Sequence, residues 1–201
     1  MGAPQQSHVF SIDDYMAWEA EQTERHEFLD GEVFAMDGAR DAHNTIALNI
    51  GTHLRNHLRG TPCRAFIADM KLRVEAADAV FYPDLMVTCD PRDRGPDADT
   101  AKRHPILLVE VLSESTAAYD RGLKFERYRL IDTLREVLLV EQDRPHLDLF
   151  RRETDGRWVL ESFGPEGTLT LASLNLELPL ATLYEDVEFA TAGTLPTPLP
   201  E

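Results

Sequence analysis

The chain has 201 residues, of which 43% are hydrophobic and 28% are charged, and its formal net charge is −16 at pH 7. This is the composition of an ordinary globular protein, and the length fits one domain with a substantial core. The acidity argues against broad, non-specific nucleic-acid binding, because affinity for phosphates depends on Lys and Arg. A nucleic-acid site with a small footprint stays open.

The sequence also predicts where in the cell the protein is found. No apolar run approaches the roughly 20 residues that span a bilayer, and the first residues lack the basic and apolar segments of a secretory signal. Cys63 and Cys89 are far apart in the sequence and form no C-x-x-C pair. We therefore predict a cytoplasmic protein without membrane contact, in which both cysteines are reduced and lie in strands.

The N-terminal part predicts a helix, a hairpin and a longer helix. Ser11, followed by acidic residues, is typical of a helix N-cap and predicts a helix over 12–20. Asp30 and Gly31 stand between two apolar stretches and favour a two-residue hairpin turn, in which both central residues need positive φ. An apolar stripe with helical spacing predicts the longest helix over 41–58.

From residue 64 onward the sequence predicts mainly short strands. The predicted strands cover 64–68, 70–74, 82–89, 105–112, 135–141, 146–152, 158–163 and 174–178. Two further helices are predicted over 116–131 and 181–189, and a long loop over 90–104. The fold class is thus α/β, with a mixed central β-sheet flanked by helices and additional β-hairpins. We expect one domain over 1–190 and a disordered proline-rich tail over 191–201.

Two acidic residues stand in apolar runs that read as buried strands. Asp84 follows Pro83 and opens one run, and Glu110 lies inside the next. A buried carboxylate is costly unless it is paired or bound to a cation. If the two strands are neighbours, both carboxylates converge and, with the backbone carbonyl of Val111, can bind Mg²⁺ or Mn²⁺. Such a cation polarises a phosphate and lowers the pKa of a bound water.

Lys124 is the candidate cationic group of this site. Leu112 lies on the same strand face as Glu110, where a lysine would suit phosphate chemistry, but this position is apolar. The next helix begins where the strand ends, so Lys124 can reach back and stabilise a pentacoordinate phosphate or orient the water. The competing interpretation pairs Lys124 with Asp120 on an exposed helix face, where the pair has no function.

Glu27 and His43 have two interpretations each. Alternation along the strand places Glu27 on the same face as core residues, but it also fits a rim carboxylate paired with Arg25 or a nearby lysine. His43 falls on the apolar stripe of the 41–58 helix. A lone histidine there is more often a satisfied or rim residue than a metal ligand.

Taken in order, these stretches resemble the PD-(D/E)xK nuclease superfamily and, more narrowly, the Uma2-type endonucleases. The resemblance rests on RHEFLDGEVFAM, YPDLMVTCD, ILLVEVLSEST and AAYDRGLKFERYRLIDTLREVLLVEQD, and it covers about 11–163. It implies a restriction-endonuclease-like core. It also implies that Asp84 and Glu110 bind the metal, that Lys124 is the relocated lysine and that Glu27 is an additional acidic residue. One departure is Glu114, which stands where the family usually has proline.

The resemblance and the residues together predict an Mg²⁺- or Mn²⁺-dependent endonuclease that hydrolyses DNA phosphodiester bonds. Arg121, Lys124, Arg127 and Arg129 lie close together in the sequence and predict a phosphate-facing patch on the 116–131 helix. The resemblance to this class of nucleases also suggests a homodimer. Two alternatives stay open: a catalytically inactive binding or regulatory module of the same fold, and a metal-dependent phosphodiesterase for small substrates, which the acidity would suit better.

Overall fold

The computed structural model describes residues 10–36, 38–95, 98 and 100–189. The predicted tail therefore lies outside the described residues. The helices are α1 (Ile12–Glu19), α2 (Asp41–His57), α3 (Ala117–Tyr119), α4 (Phe125–Tyr128) and α5 (Leu180–Leu183). The strands are β1 (His26–Leu29), β2 (Glu32–Ala35), β3 (Arg64–Ile67), β4 (Lys71–Val74), β5 (Ala79–Phe81), β6 (Leu85–Thr88), β7 (Ala101–Lys102), β8 (Pro105–Leu112), β9 (Glu136–Glu141), β10 (Leu147–Arg152), β11 (Trp158–Phe163), β12 (Thr168–Leu171) and β13 (Leu176–Pro179).

The first elements follow the sequence closely. The Ser11 hydroxyl accepts a hydrogen bond from the Asp14 N–H, and the Asp14 carboxylate accepts one from the Ser11 N–H, so a capping box begins α1. Asp30 (φ 50°) and Gly31 (φ 86°) form the tip of the β1–β2 hairpin. Both positive φ values are those that the Asp-Gly dipeptide predicts.

Across the described residues, the strands form two large sheets and one hairpin. The first sheet has the order β2-β1-β5-β4-β7, the second has the order β11-β10-β9-β8-β6-β3, and β12 pairs with β13. Only β4–β7 and β8–β9 are parallel among these pairs. The mixed α/β architecture with additional hairpins is thus confirmed.

The chain crosses from one large sheet to the other between β5 and β6. The predicted strand over 82–89 is wrong at its start, because residues 82–84 belong to neither sheet and β6 begins at Leu85. Pro83 has no N–H to donate to a ladder and fixes its own φ, which explains why pairing stops here. Asp84 therefore lies at the junction of the two sheets.

The central strands of the six-stranded sheet, β6, β8 and β9, are buried on both faces. The stripe of Ile46, Ile50 and Leu54 on α2 packs with one face, in a cluster that also includes α5 and the β12–β13 hairpin. The opposite face packs against the five-stranded sheet and the helical segment over 117–128. Near-continuous apolar runs such as that of β8 are expected when both faces of a strand are covered.

The segment 117–128 is helical, as predicted, but it is not a regular α-helix. A π-helical turn over Asp120–Lys124 joins α3 to α4, and α4 ends at Tyr128. A π turn widens the helix locally and redirects its side chains, and such turns often occur at functional sites. Farther on, α5 is much shorter than the predicted 181–189 helix. The strands β5, β7 and β12 were not predicted, and β7 lies inside the predicted 90–104 loop.

The cysteine prediction was wrong. Cys63 and Cys89 form a disulfide at one end of the antiparallel β3–β6 pair. The register sets Arg64 opposite Thr88, which brings the flanking cysteines together. Their separation of 26 positions gives no local motif, so this pairing depends on strand register that the sequence does not reveal.

Within the described part of the chain, no helix is long and apolar enough to cross a lipid bilayer. The cytoplasmic location stays a prediction.

Candidate active site

The structure brings the predicted acidic residues and the lysine to one cavity of about 620 Å³. Glu27 comes from β1 of the first sheet, and Glu110 comes from β8 of the second. Asp84 comes from the crossing between the sheets, and Lys124 comes from the π-helical turn. The site thus lies where two sheets and a helix meet.

The Lys124 ammonium is buried among three carboxylates. Its Nζ lies 2.9 Å from Glu27 Oε1, 3.2 Å from Glu110 Oε1 and 3.6 Å from Asp120 Oδ1. Lys124 is 5% exposed, so the competing interpretation, which placed it with Asp120 on an exposed helix face, is wrong. Burial alone would lower the pKa of Lys124, but these carboxylates, Glu110 foremost, raise it well above its usual value. The ammonium therefore keeps its proton.

Glu110 is the most constrained of the acids. It is 4% exposed, and the Tyr128 hydroxyl donates a hydrogen bond of 2.5 Å to its Oε1. Burial raises the pKa of Glu110 well above its usual value; Lys124 opposes this shift, while Asp120 and Asp84 add to it. The Glu110 carboxylate therefore takes up a proton more readily than an exposed glutamate does.

Asp84 is held by the strand that carries Glu110. The Val111 N–H donates a hydrogen bond of 2.7 Å to Asp84 Oδ2, and His43 Nε2 lies 3.1 Å from the same oxygen. Burial alone would lower the pKa of His43, but the hydrogen bond and the charge of Asp84 raise it. Sequence reasoning favoured a satisfied or rim position for His43. In agreement with this, His43 is half-buried in the cavity with its Nε2 against Asp84, while its buried Nδ1 has no hydrogen-bond partner among the described residues.

Glu27 is a cavity residue and not a rim residue. It is 7% exposed, and its Oε1 accepts a hydrogen bond of 3.2 Å from the Tyr82 N–H. The rim interpretation named Arg25 as a partner, but Arg25 instead binds Asp69 at 2.7 Å. Glu27 instead contacts Lys124, and a lysine was the other partner that the rim interpretation named.

The Uma2 family model, described as "Putative restriction endonuclease", matches residues 12–182. This chain belongs to the Uma2 family.

Two uncharacterized proteins from Synechocystis sp. are similar in sequence to this Uma2 chain. One is 36% identical over 179 residues, which cover 89% of this chain and 93% of the relative. The other is 31% identical over 152 residues, which cover 76% of this chain and 86% of the relative. Both similarities extend over most of each protein.

A solved structure from Anabaena variabilis, titled as a putative nuclease belonging to DUF820, is similar in fold. Its TM-score is 0.72, and the match covers 88% of this chain and 98% of that chain at 16% identity. At this identity the likeness concerns the fold alone. It supports the restriction-endonuclease-like core.

Sequence reasoning missed part of the site of this Uma2 protein. Asp120 was considered only as an exposed partner of Lys124, and no role was given to Tyr128. Their positions at i, i+4 and i+8 along one helix side were a usable signal, because such residues share a face. Nothing in the local sequence indicates Gln142, which also lines the cavity.

The predicted basic patch does not form. Arg121 binds Glu141 at 2.6 Å, and Arg127 binds Asp30 at 2.8 Å. Lys124 points into the cavity, whereas Arg121 and Arg129 line a second concavity, so the four groups do not share one cationic surface. Three of the four basic groups are thus paired with carboxylates.

The donor set of the cavity fits a hydrated divalent cation. In the described regions, no three His, Cys, Asp or Glu side chains stand close enough to form a complete metal cage. Mg²⁺ does not need one, since it usually keeps several waters and binds through one or two carboxylates. Asp84 and Glu110 are such carboxylates, and the unpartnered Nδ1 of His43 leaves a polar position for a bound water.

Proposed function

We propose that this Uma2 protein is an endonuclease that requires Mg²⁺ or Mn²⁺ and hydrolyses DNA phosphodiester bonds. The observation that carries the proposal is one cavity that holds four carboxylates and a single buried ammonium group, which three of the carboxylates contact. The four are Glu27, Asp84, Glu110 and Asp120. This excess of negative charge at a sheet junction favours a cation, and oxygen donors favour a hard one.

Asp84 and Glu110 are the residues that would hold the metal, with the backbone carbonyl of Val111 as a third donor. A divalent cation supplies Lewis acidity and a bound water that deprotonates near neutral pH. The hydrogen bond from the Val111 N–H fixes the Asp84 carboxylate. The Tyr128 hydroxyl does the same for Glu110. Residues whose orientation is fixed in this way lose little entropy on binding a ligand.

Lys124 would stabilise the negative charge that develops on the phosphoryl oxygens. Its ammonium stays protonated because nearby carboxylates raise its pKa. A fixed positive charge in a buried site acts more strongly than in water and needs no reorganisation during the reaction. Glu27 and Asp120 hold this ammonium beside Glu110. In this proposal Glu27 is therefore the additional acidic residue of the site.

A metal-dependent phosphodiesterase for small substrates is the second candidate. The net charge of −16 repels a long polyanion, and the expected basic patch is absent from the 117–128 helix. A small phosphodiester would meet less of this unfavourable field. This candidate uses the same residues and differs only in substrate size.

The test uses the purified full chain and three classes of substrate. Supercoiled plasmid, single-stranded DNA and a panel of nucleotide phosphodiesters are incubated with Mg²⁺, with Mn²⁺ or with a chelator. Metal-dependent nicking of plasmid supports the endonuclease. Turnover of small substrates alone supports the second candidate. Calorimetry of Mn²⁺ binding to the wild type and to Asp84→Ala identifies the third case, since a non-catalytic module needs no metal.

A further inference from the structure

A group of buried polar atoms in the cavity has no partner among the described residues. They are the Nε2 and Oε1 of Gln142, the hydroxyl of Tyr119 and the Nδ1 of His43. All three residues line the cavity that holds the carboxylates and Lys124. Buried polar groups in native proteins are nearly always hydrogen-bonded, so each of these atoms needs a ligand or a water.

Gln142 is the clearest member of this group. It follows β9 directly, and β9 runs parallel to β8 with Glu141 opposite Leu112. Gln142 therefore lies at the same end of the sheet as the segment that follows Glu110. It is 3% exposed, yet neither its amide nitrogen nor its amide oxygen has a partner. A ligand that satisfies it must offer both a hydrogen-bond acceptor and a donor.

Tyr119 supplies a second neutral donor. It immediately precedes the π-helical turn that carries Asp120 and Lys124. Burial and the charge of Glu27 raise the pKa of Tyr119, so its hydroxyl keeps its proton. The Tyr119 O–H and the Gln142 N–H groups thus present hydrogen-bond donors to the cavity without adding charge.

We propose that Gln142 and Tyr119 position the phosphate of the substrate by donating hydrogen bonds to its non-bridging oxygens. The Gln142 Oε1 accepts a hydrogen bond from a water in the same cavity. This inference rests on the proposed function and assigns two further residues to it.

The charge of the protein explains why neutral donors would serve here. Arg121 and Arg127, on the helical segment that carries Lys124, pair with Glu141 and Asp30. Lys124 is shared by three carboxylates. Amide and phenol donors orient a phosphate through directional hydrogen bonds, which are stronger when the acceptor is charged.

The test compares Gln142→Met and Tyr119→Phe with wild type. Both changes keep the shape of the side chain and remove its hydrogen-bonding atoms. Gln22→Met is the matched control, since Gln22 contacts the Trp18 carbonyl and does not line the cavity. Affinity for a short DNA duplex is measured with Ca²⁺ as the cation, which binds oxygen ligands. Mn²⁺ affinity and thermal midpoint are measured in parallel.

We expect Gln142→Met to weaken duplex binding about 10-fold, the effect of losing one hydrogen bond to a charged group. Tyr119→Phe is also expected to weaken duplex binding, and Gln22→Met is expected to leave it unchanged. The affinity for Mn²⁺ stays at the wild-type value. The thermal midpoint of Gln142→Met stays equal or rises, because an unsatisfied buried amide is removed.

Three outcomes would overturn the inference. Wild-type duplex affinity in both cavity variants would show that Gln142 and Tyr119 only bind water. A parallel loss of Mn²⁺ affinity would make Gln142 part of the cation site and not of the phosphate site. If the wild type binds Mn²⁺ but no duplex, the DNA substrate itself is wrong, and the phosphate role falls with it.

Discussion

Lys124 Nζ lies 3.2 Å from Glu110 Oε1, although the lysine stands on a helix and the glutamate on β8. Leu112, on the same strand face as Glu110, is 1% exposed and packs in the core. The helix therefore supplies the positive charge that this strand lacks. Both charges are buried, so removal of Lys124 leaves Glu110 without its ammonium partner, whereas removal of Glu110 leaves Lys124 paired with Glu27 and Asp120.

Glu110→Gln is expected to abolish cleavage while the fold is kept. The amide matches the carboxylate in shape and can still accept the Tyr128 hydrogen bond, but it is a poor ligand for a divalent cation. Cleavage is followed on supercoiled plasmid with Mn²⁺, and the fold by circular dichroism. Glu21→Gln on the exposed surface is the control. Unchanged turnover in Glu110→Gln would remove this residue from the mechanism.

Lys124→Ala is expected to lower the cleavage rate about 10²- to 10³-fold, the usual cost of losing one electrostatic stabiliser. It also leaves buried carboxylates uncompensated, so the free energy of unfolding falls by about 3–5 kcal/mol. Urea unfolding and single-turnover kinetics measure the two effects. Lys71→Ala removes a lysine that lies over the Tyr82 ring and serves as the control. A rate near that of wild type would reduce Lys124 to a structural residue.

Mn²⁺ is expected to stabilise the wild-type protein against unfolding. At about 100 times its dissociation constant, a ligand of the folded state adds about 2.7 kcal/mol. Asp84→Ala removes a proposed ligand and should lose this gain, whereas the exposed Asp132→Ala should keep it. Thermal unfolding with and without Mn²⁺ gives the comparison. Equal stabilisation of wild type and Asp84→Ala would place the cation elsewhere.

The sequence was most informative where a charged residue stands in an apolar segment. A carboxylate within an apolar strand needs a partner, so Glu110 was recognisable before its partners were known. Asp84 became a candidate in the same way. The spacing of Asp120, Lys124 and Tyr128 is that of residues on one helix side. Only the packing of that side against the sheets shows that it faces inward.

The sequence was least informative where long-range pairing decides the outcome. Cys63 and Cys89 meet only because β3 and β6 pair in one register. Arg121 and Arg127 are close in sequence to Lys124, but their long side chains reach acidic partners in other elements. Gln142 lies in the cavity because β9 runs parallel to β8. Local patterns contain none of this information.

Asp93→Asn is expected to destabilise the segment that precedes β8. The buried Asp93 carboxylate accepts hydrogen bonds from the N–H groups of Arg103 and His104, at 2.9 and 3.0 Å. Replacement by an amide loses acceptor capacity and costs about 1–3 kcal/mol of unfolding free energy. Urea unfolding at neutral pH measures the loss. Asp155→Asn, at the exposed tip of the β10–β11 hairpin, is the control.

The Asp93 carboxylate also makes the free energy of unfolding depend on pH. Burial alone would raise the pKa of Asp93, but the hydrogen bonds from Arg103 and His104 lower it below its usual value of 3.8. The unfolded state therefore binds the proton more tightly than the folded state. The stabilisation is complete above the unfolded pKa and is lost as the pH falls through the folded pKa. When the free energy of unfolding is measured at decreasing pH, Asp93→Asn should lose less of it than the wild type does. An identical acid profile would contradict this assignment.

Removal of the disulfide is expected to destabilise the protein without affecting the cavity. Cross-linking positions that are 26 apart restricts the unfolded chain and contributes about 3 kcal/mol. The double variant Cys63→Ser with Cys89→Ser should therefore unfold at lower urea concentration. Dithiothreitol should shift wild type to the same midpoint and leave the double variant unchanged. Intact mass after alkylation without reductant measures the thiols directly. Two alkyl groups on the wild-type chain would mean that the cysteines are reduced, as the sequence first suggested, and that β3 and β6 are joined by their hydrogen bonds alone.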